Sequence, residues 1–149
     1  MIYSIFFSIL ILFSNTIANG KNPPSENEGD VIIKVTNIEN MKGELLVGIY
    51  DSKKTFRKVK KVMKYAVKAV EDGTEVVVLE DIPAGIYAVA LFQDFNGNRK
   101  FDKNFMGVPK EPFGFSTNYI VKRRAPMFKE VTFQHNGTST ELEIQVQEW

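Results

Sequence analysis

Apolar and polar side chains alternate with a period of two through much of the chain beyond residue 30. Val31, Ile33 and Val35 alternate with Ile32, Lys34 and Thr36, and Leu45, Val47 and Ile49 with Leu46, Gly48 and Tyr50. Met63, Tyr65, Val67 and Ala69 point away from Lys64, Ala66 and Lys68. Such alternation, carried by β-branched and aromatic residues, predicts half-buried strands. After the turn Glu71-Asp72-Gly73 comes a strand at 75–79. Beyond the turn Ile82-Pro83-Ala84-Gly85 lies the most apolar strand, 86–92, expected to be central. Val131 and Phe133 lead into Asn136-Gly137, a two-residue hairpin signal, and Leu142, Ile144 and Val146 close the chain between Glu143 and Gln145. About seven strands with turn signals between them point to an all-β fold, an antiparallel β-sandwich of Ig-like type. A helix over 52–70 competes, but its lysines recur too often; only a short helical turn at 54–58 is expected.

The pattern changes at both ends of this block. Residues 2–13 are almost wholly apolar, and no charged side chain precedes Lys21. That run is short for a bilayer span and suits the central region of a signal peptide. Thr16 and Ala18, or Ala18 and Gly20, have the spacing of a cleavage site. The alternative is an uncleaved anchor, since the front end carries no Lys or Arg. A division into signal peptide 1–20, flexible leader 21–29 and one β-sandwich domain 30–149 follows, with an exported, periplasmic or secreted protein and no stable membrane insertion after cleavage. Residues 105–126 show no sustained alternation and read as a long aromatic-bearing excursion, the kind of loop that is usually functional.

Composition removes several chemistries. Across 149 residues the net charge is +1, which gives no drive toward nucleic acid. Cysteine is absent and His135 is the single histidine, which excludes disulfides, thiolate and multi-histidine metal sites and bacterial lipidation. His135, beside the Asn136-Gly137 turn, is expected at the surface, and no nucleophile and base are placed together, so a non-enzymatic protein is expected.

The stretch Asp94-Phe95-Asn96-Gly97-Asn98-Arg99-Lys100-Phe101-Asp102 carries the most specific chemistry. Oxygen-bearing side chains fall at its first, third, fifth and ninth positions, the order in which a tight loop presents ligands to calcium. Asp94, Asn96, Asn98 and Asp102 would supply side-chain oxygens and Lys100 its carbonyl. Phe105 stands where an EF-hand loop has its bidentate glutamate, leaving Glu111 as the replacement. Such a site would bind weakly, at about 10⁻⁴–10⁻³ M. The competing reading is a turn capped by its own Asp and Asn side chains. Either way Phe95, Phe101 and Phe105 are expected to pin the loop to the sandwich.

Several tracts in one order resemble a family of small exported bacterial proteins known only as a domain of unknown function. They are Ile82-Pro83-Ala84-Gly85-Ile86-Tyr87-Ala88-Val89, the DFNGNRKFD loop, the tract from Gly107 to Ser116 (GVPKEPFGFS), and Ala125-Pro126-Met127-Phe128-Lys129-Glu130-Val131. The resemblance covers about 31–146 and implies a transthyretin-like or carboxypeptidase-regulatory-like sandwich with no established activity. Family members often carry Gly where this chain has Arg99 and a small residue where it has Met127. A left-handed backbone at Arg99 would cost about 1–2 kcal/mol more than at Gly.

Two further features bear on partners. Phe113, Phe115 and Ser116 could line a ligand cleft beside the ion loop, or the aromatics could simply cap one end of the sandwich. The run Lys53, Lys54, Arg57, Lys58, Lys60, Lys61 and Lys64 makes a positive face, either solvated or able to meet an anionic envelope polymer; Lys122-Arg123-Arg124 is a smaller cluster of the same kind. A binding module for glycan, peptide or anionic polymer, or for a protein partner, is therefore the alternative to a plain structural module.

Overall fold

Val31, Ile33 and Val35 are wholly buried, as the alternation requires, and they lie on the central strand of the smaller of two sheets. The structure is a computed structural model that describes residues 27–149. The expected signal peptide 1–20 and leader residues 21–26 lie outside the described residues. The strands are β1 (Glu28–Thr36), β2 (Glu44–Tyr50), β3 (Lys64–Ala69), β4 (Glu75–Pro83), β5 (Gly85–Asp94), β6 (Phe113–Phe115), β7 (Thr132–His135) and β8 (Thr140–Gln145), with three single-turn 3₁₀ segments between them. Strand β1 thus takes in Glu28 and Gly29, the last residues of the expected leader. Among the described residues no helix is long and apolar enough to cross a membrane.

One sheet has the order β4-β1-β8; the other runs β3-β2-β5-β6, with β7 also paired to β5. Strand β5 is central, as expected: β2 pairs along one edge, and β7 and β6 follow one another along the other. The inner faces bury Val31, Ile33, Leu45, Val47, Val89, Leu91 and Ile144 in one core. At about 25 cal/mol per Å² of apolar surface removed from water, that core is the main stabilising term.

Four expectations need correction. The sandwich is not wholly antiparallel, because β8 runs parallel to β1, from Val31 opposite Thr140 to Thr36 opposite Gln145. The cause lies at Asn136-Gly137, which makes no hairpin: β7 belongs to the larger sheet and β8 to the smaller, so the turn carries the chain between layers. Gly137 has φ +75, and a side chain there would meet the Asn27 carbonyl at 2.5 Å. His135 is only 1% exposed, because its imidazole spans a contact between sheets. Nδ1 lies 2.7 Å from the Thr140 hydroxyl and Nε2 2.9 Å from the Ile82 carbonyl. Phe105 pins nothing. It is 96% exposed at the tip of a tight turn closed by Gly107 N–H on the Asn104 carbonyl. The helical turn expected at 54–58 is present as hydrogen-bonded turns, with Phe56 N–H on the Ser52 carbonyl, followed by a 3₁₀ segment at Val59–Lys61.

A trough and an ion-type loop as the candidate functional site

The larger sheet is apolar on its outer face as well. Cross-strand register shows how that face is built, since residues directly opposite each other project to the same side. One row is Val67, Leu46, Phe92 and Phe113; the next is Tyr65, Gly48, Ala90 and Phe115. In the second row the two central strands contribute no side chain and a single methyl. The result is a trough whose floor is Gly48 and Ala90, beside the bulkier Leu46–Phe92 row, with Tyr50 and Val62 packed at the Gly48 end. Its volume is about 520 Å³, within the range of small-molecule sites. A Cβ at Gly48 would lie 2.8 Å from Val62 Cγ2, so the glycine also lets the covering segment approach.

Two loops form the banks. Residues 51–63 leave β2 at Tyr50, opposite Ala88; residues 95–112 leave β5 at Asp94, opposite Glu44. These are opposite ends of the same strand pair, so the loops fold over the face from its two sides. Aromatic contacts fasten each. Phe56 meets Tyr50 edge-on at 5.6 Å, and Phe101 lies 5.4 Å from Phe92 and 5.8 Å from Phe113. Ala90 and Leu46 nevertheless stay only half-buried in the middle of the sheet.

The charged side chains lining the trough are Arg57 and Lys60 from one loop and Arg99 and Lys103 from the other, all of them cations. Among the described residues none of the four forms an ion pair with a carboxylate. Arg57 (φ 61) and Arg99 (φ 57) both have left-handed backbone. That conformation costs a side-chain-bearing residue about 1–2 kcal/mol relative to glycine. Arg124, by contrast, is committed: its guanidinium donates to both oxygens of Glu130 at 2.8 Å and holds that carboxyl down to about 2.

The ion-type loop forms the base of the second bank. Asp94, fully buried, accepts from the main-chain N–H of Asn96 (3.1 Å) and Gly97 (2.8 Å) through Oδ1, and of Arg99 (2.6 Å) through Oδ2. The last bond accounts for the left-handed Arg99, because it gives the strained residue's N–H a charged acceptor. Glu111, 4% exposed, returns to the loop and accepts from Phe95 N–H (3.1 Å) through Oε1 and Asp102 N–H (3.0 Å) through Oε2, so both its oxygens are engaged by main-chain donors. Asp102 Oδ2 collects the side-chain amides of Asn96 (2.8 Å) and Asn98 (2.9 Å). Asn96 Oδ1 accepts Asn98 N–H and Asn98 Oδ1 accepts Lys100 N–H, a ladder of Asx turns. Asp94, Asn96, Asn98, Lys100, Asp102 and Glu111 therefore share one network. Among the described residues no group of three or more Asp, Glu, His or Cys side chains could hold a metal ion. A cation here would rest on amide and main-chain oxygens beside the carboxylates.

Phe113 and Phe115 line the trough, whereas Ser116 does not reach it. Its hydroxyl is fully buried, accepting the Val89 N–H at 2.9 Å and donating to the Val131 carbonyl. Sequence reasoning missed the floor and half of the cationic rim. The available signal was the pair of small residues, Gly48 and Ala90, in otherwise bulky strands.

Comparison with known proteins adds a family and no activity. No curated protein and no solved structure matches the chain. The family model described as an uncharacterized protein conserved in bacteria (DUF2141) matches residues 33–143, from the first core strand to the last, and the chain belongs to that family.

Proposed function

We propose that the protein is an exported, non-enzymatic binding module that takes a small, largely apolar molecule into the trough on the outer face of its larger sheet. Export rests on the signal-peptide pattern of residues 1–20. The observation that carries the binding reading is the floor: Gly48 and Ala90 leave a half-open apolar trough of about 520 Å³ at the centre of a sheet whose other face is fully packed. A concave apolar site with a few convergent polar groups is the usual form of a ligand pocket. The carboxylates support a non-catalytic role. Asp94 and Glu111 are engaged by main-chain N–H groups, and neither they nor Asp102 line the trough. The test is equilibrium titration with a neutral fluorescent probe, N-phenyl-naphthylamine. The native protein should bind it saturably, and Ala90→Phe, which fills the floor, should abolish binding while the fold persists. Equal binding by both proteins would reject the trough as the site.

A second reading rests on the meeting of Asn96, Asn98 and Asp102 side chains, whose amides would turn Oδ1 in place of Nδ2 toward a cation beside Asp102. The loop would bind calcium weakly and stiffen the bank it supports, with Asp94, Asn96, Asn98, Asp102 and the Lys100 carbonyl as ligands and Glu111 bracing the loop from behind. Calcium should then raise the thermal midpoint of a chelator-treated sample by mass action, and Asp102→Ala should remove the effect. A midpoint indifferent to millimolar calcium would dismiss this reading.

A further inference from the structure

We propose that the ligand is a single-chain amphiphile with an acidic head, a long-chain carboxylic acid. Its tail would lie over Gly48 and Ala90 and its carboxylate between Arg57 and Lys60 on one bank and Arg99 and Lys103 on the other. This rests on the reading of the trough as a ligand site and adds the chemistry of the occupant.

Charge complementarity carries the assignment. The lining holds four cationic side chains and no acidic side chain, on a protein whose net charge is only +1. The cations come from loops that close over the trough from opposite ends of the β2–β5 pair, while the sheet beneath contributes apolar residues. A neutral apolar molecule would leave the rim unused. A sugar would find few hydrogen-bonding partners over Gly48, Ala90, Leu46 and Phe92. A small inorganic anion would have no use for the floor.

Backbone conformation gives an independent indication. Among the described residues, six non-glycine residues have positive φ: Asn37, Arg57, Asp81, Arg99, Thr117 and Asn118. Asn and Asp enter that region readily, but arginine does not. Both arginines of the rim are among the six. Strained residues persist where the surrounding structure holds them and cluster at ligand clamps. Glycine would suit either backbone better; at Arg99 the Asp94 carboxylate offsets the strain, and what arginine adds over glycine in this chain is its guanidinium.

The test is displacement of N-phenyl-naphthylamine by dodecanoate, dodecanol and acetate, on the native protein and on the double variant Arg57→Gly/Arg99→Gly. Dodecanoate should displace the probe at a concentration at least about tenfold below dodecanol, the size of effect one charge-assisted contact supplies. The gap should shrink as salt is added. Acetate should not compete. In the double variant, which keeps Lys60 and Lys103, the gap should shrink by at least about threefold, with a thermal midpoint equal to or above the native one, an outcome that loss of fold cannot imitate. Equal displacement by acid and alcohol, competition by acetate alone, or a glycine variant that keeps its preference would each overturn the proposal while the trough remains a site. Failure of the native protein to bind the probe would remove the trough reading itself.

Discussion

The two sheets turn equally apolar inner faces toward each other and unlike outer faces away. On the smaller sheet the outward positions mix Ile32, Val76 and Val78 with Lys34, Glu141 and Glu143; both valines are exposed, and Lys34 faces Glu143 across the strands at 3.6 Å. That is an ordinary solvated face. On the larger sheet the outward positions of β2 and β5 are Leu46, Gly48 and Tyr50, and Ala88, Ala90 and Phe92. They are covered by loops rather than by a third layer. Protein interiors pack to crystal-like density, and the departure from it on this face falls where the side chains are smallest. Among the described residues none of the four cations on its rim pairs with a carboxylate, and the proposed acidic ligand would supply one.

The sharpest way to break the comparison is a pair of neighbouring leucines on opposite faces of β2. Leu45, wholly buried, should lose about 3 kcal/mol on replacement by alanine; Leu46, half-buried beside the trough, about 1 kcal/mol. Equal losses in urea unfolding would mean that the outer face is as closely packed as the inner one. Next in size is Asp94→Ala, which strips three main-chain N–H groups of their acceptor. It should cost about 2 kcal/mol and loosen the bank that carries Arg99 and Lys103. Faster amide exchange at Gly97 and Arg99 would report it. Smaller, and opposite in sign, is Arg99→Gly. Relief of the left-handed strain offsets the extra freedom of glycine in the unfolded chain, leaving a gain between zero and about 1 kcal/mol. A clear loss would mean that the Arg99 side chain supports the fold.

The smallest effect tests a corner remote from the trough. Glu75 accepts Glu71 N–H at 2.6 Å and Asp72 N–H at 2.9 Å, with Lys68 at 3.6 Å. The Glu71 bond first, and the others after it, hold its carboxyl below the ordinary range. A folded-state value below the unfolded one stabilises above the ordinary carboxylate range and is lost as pH falls through the lowered value. The thermal midpoint of the native protein should therefore fall more on acidification than that of Glu75→Gln. Parallel pH profiles would contradict this.

Strand alternation made most of the sandwich legible, because period two with β-branched residues has few other solutions. It located β1, β2, β3 and β5 and the central place of β5. Sheet membership was not legible, since Asn136-Gly137 has the same local chemistry whether it closes a hairpin or carries the chain between layers. His135 was misplaced for the same reason: its burial comes from β4 and β8, distant in sequence. In the ion-type loop, the order of Asp94, Asn96, Asn98 and Asp102 marked side chains that share one hydrogen-bonded network, as a turn capped by its own Asp and Asn groups requires. The trough was not, because it arises from three-strand register, which sets Gly48 beside Ala90 between Tyr65 and Phe115.

A crystal structure of the protein grown with dodecanoate tests the central claim most directly. The account predicts alkyl density along Gly48 and Ala90, with the head group within hydrogen-bonding reach of Arg57, Lys60, Arg99 or Lys103. Density on the outer face of the β4-β1-β8 sheet, or a trough closed by its own loops with no ligand inside, would contradict it.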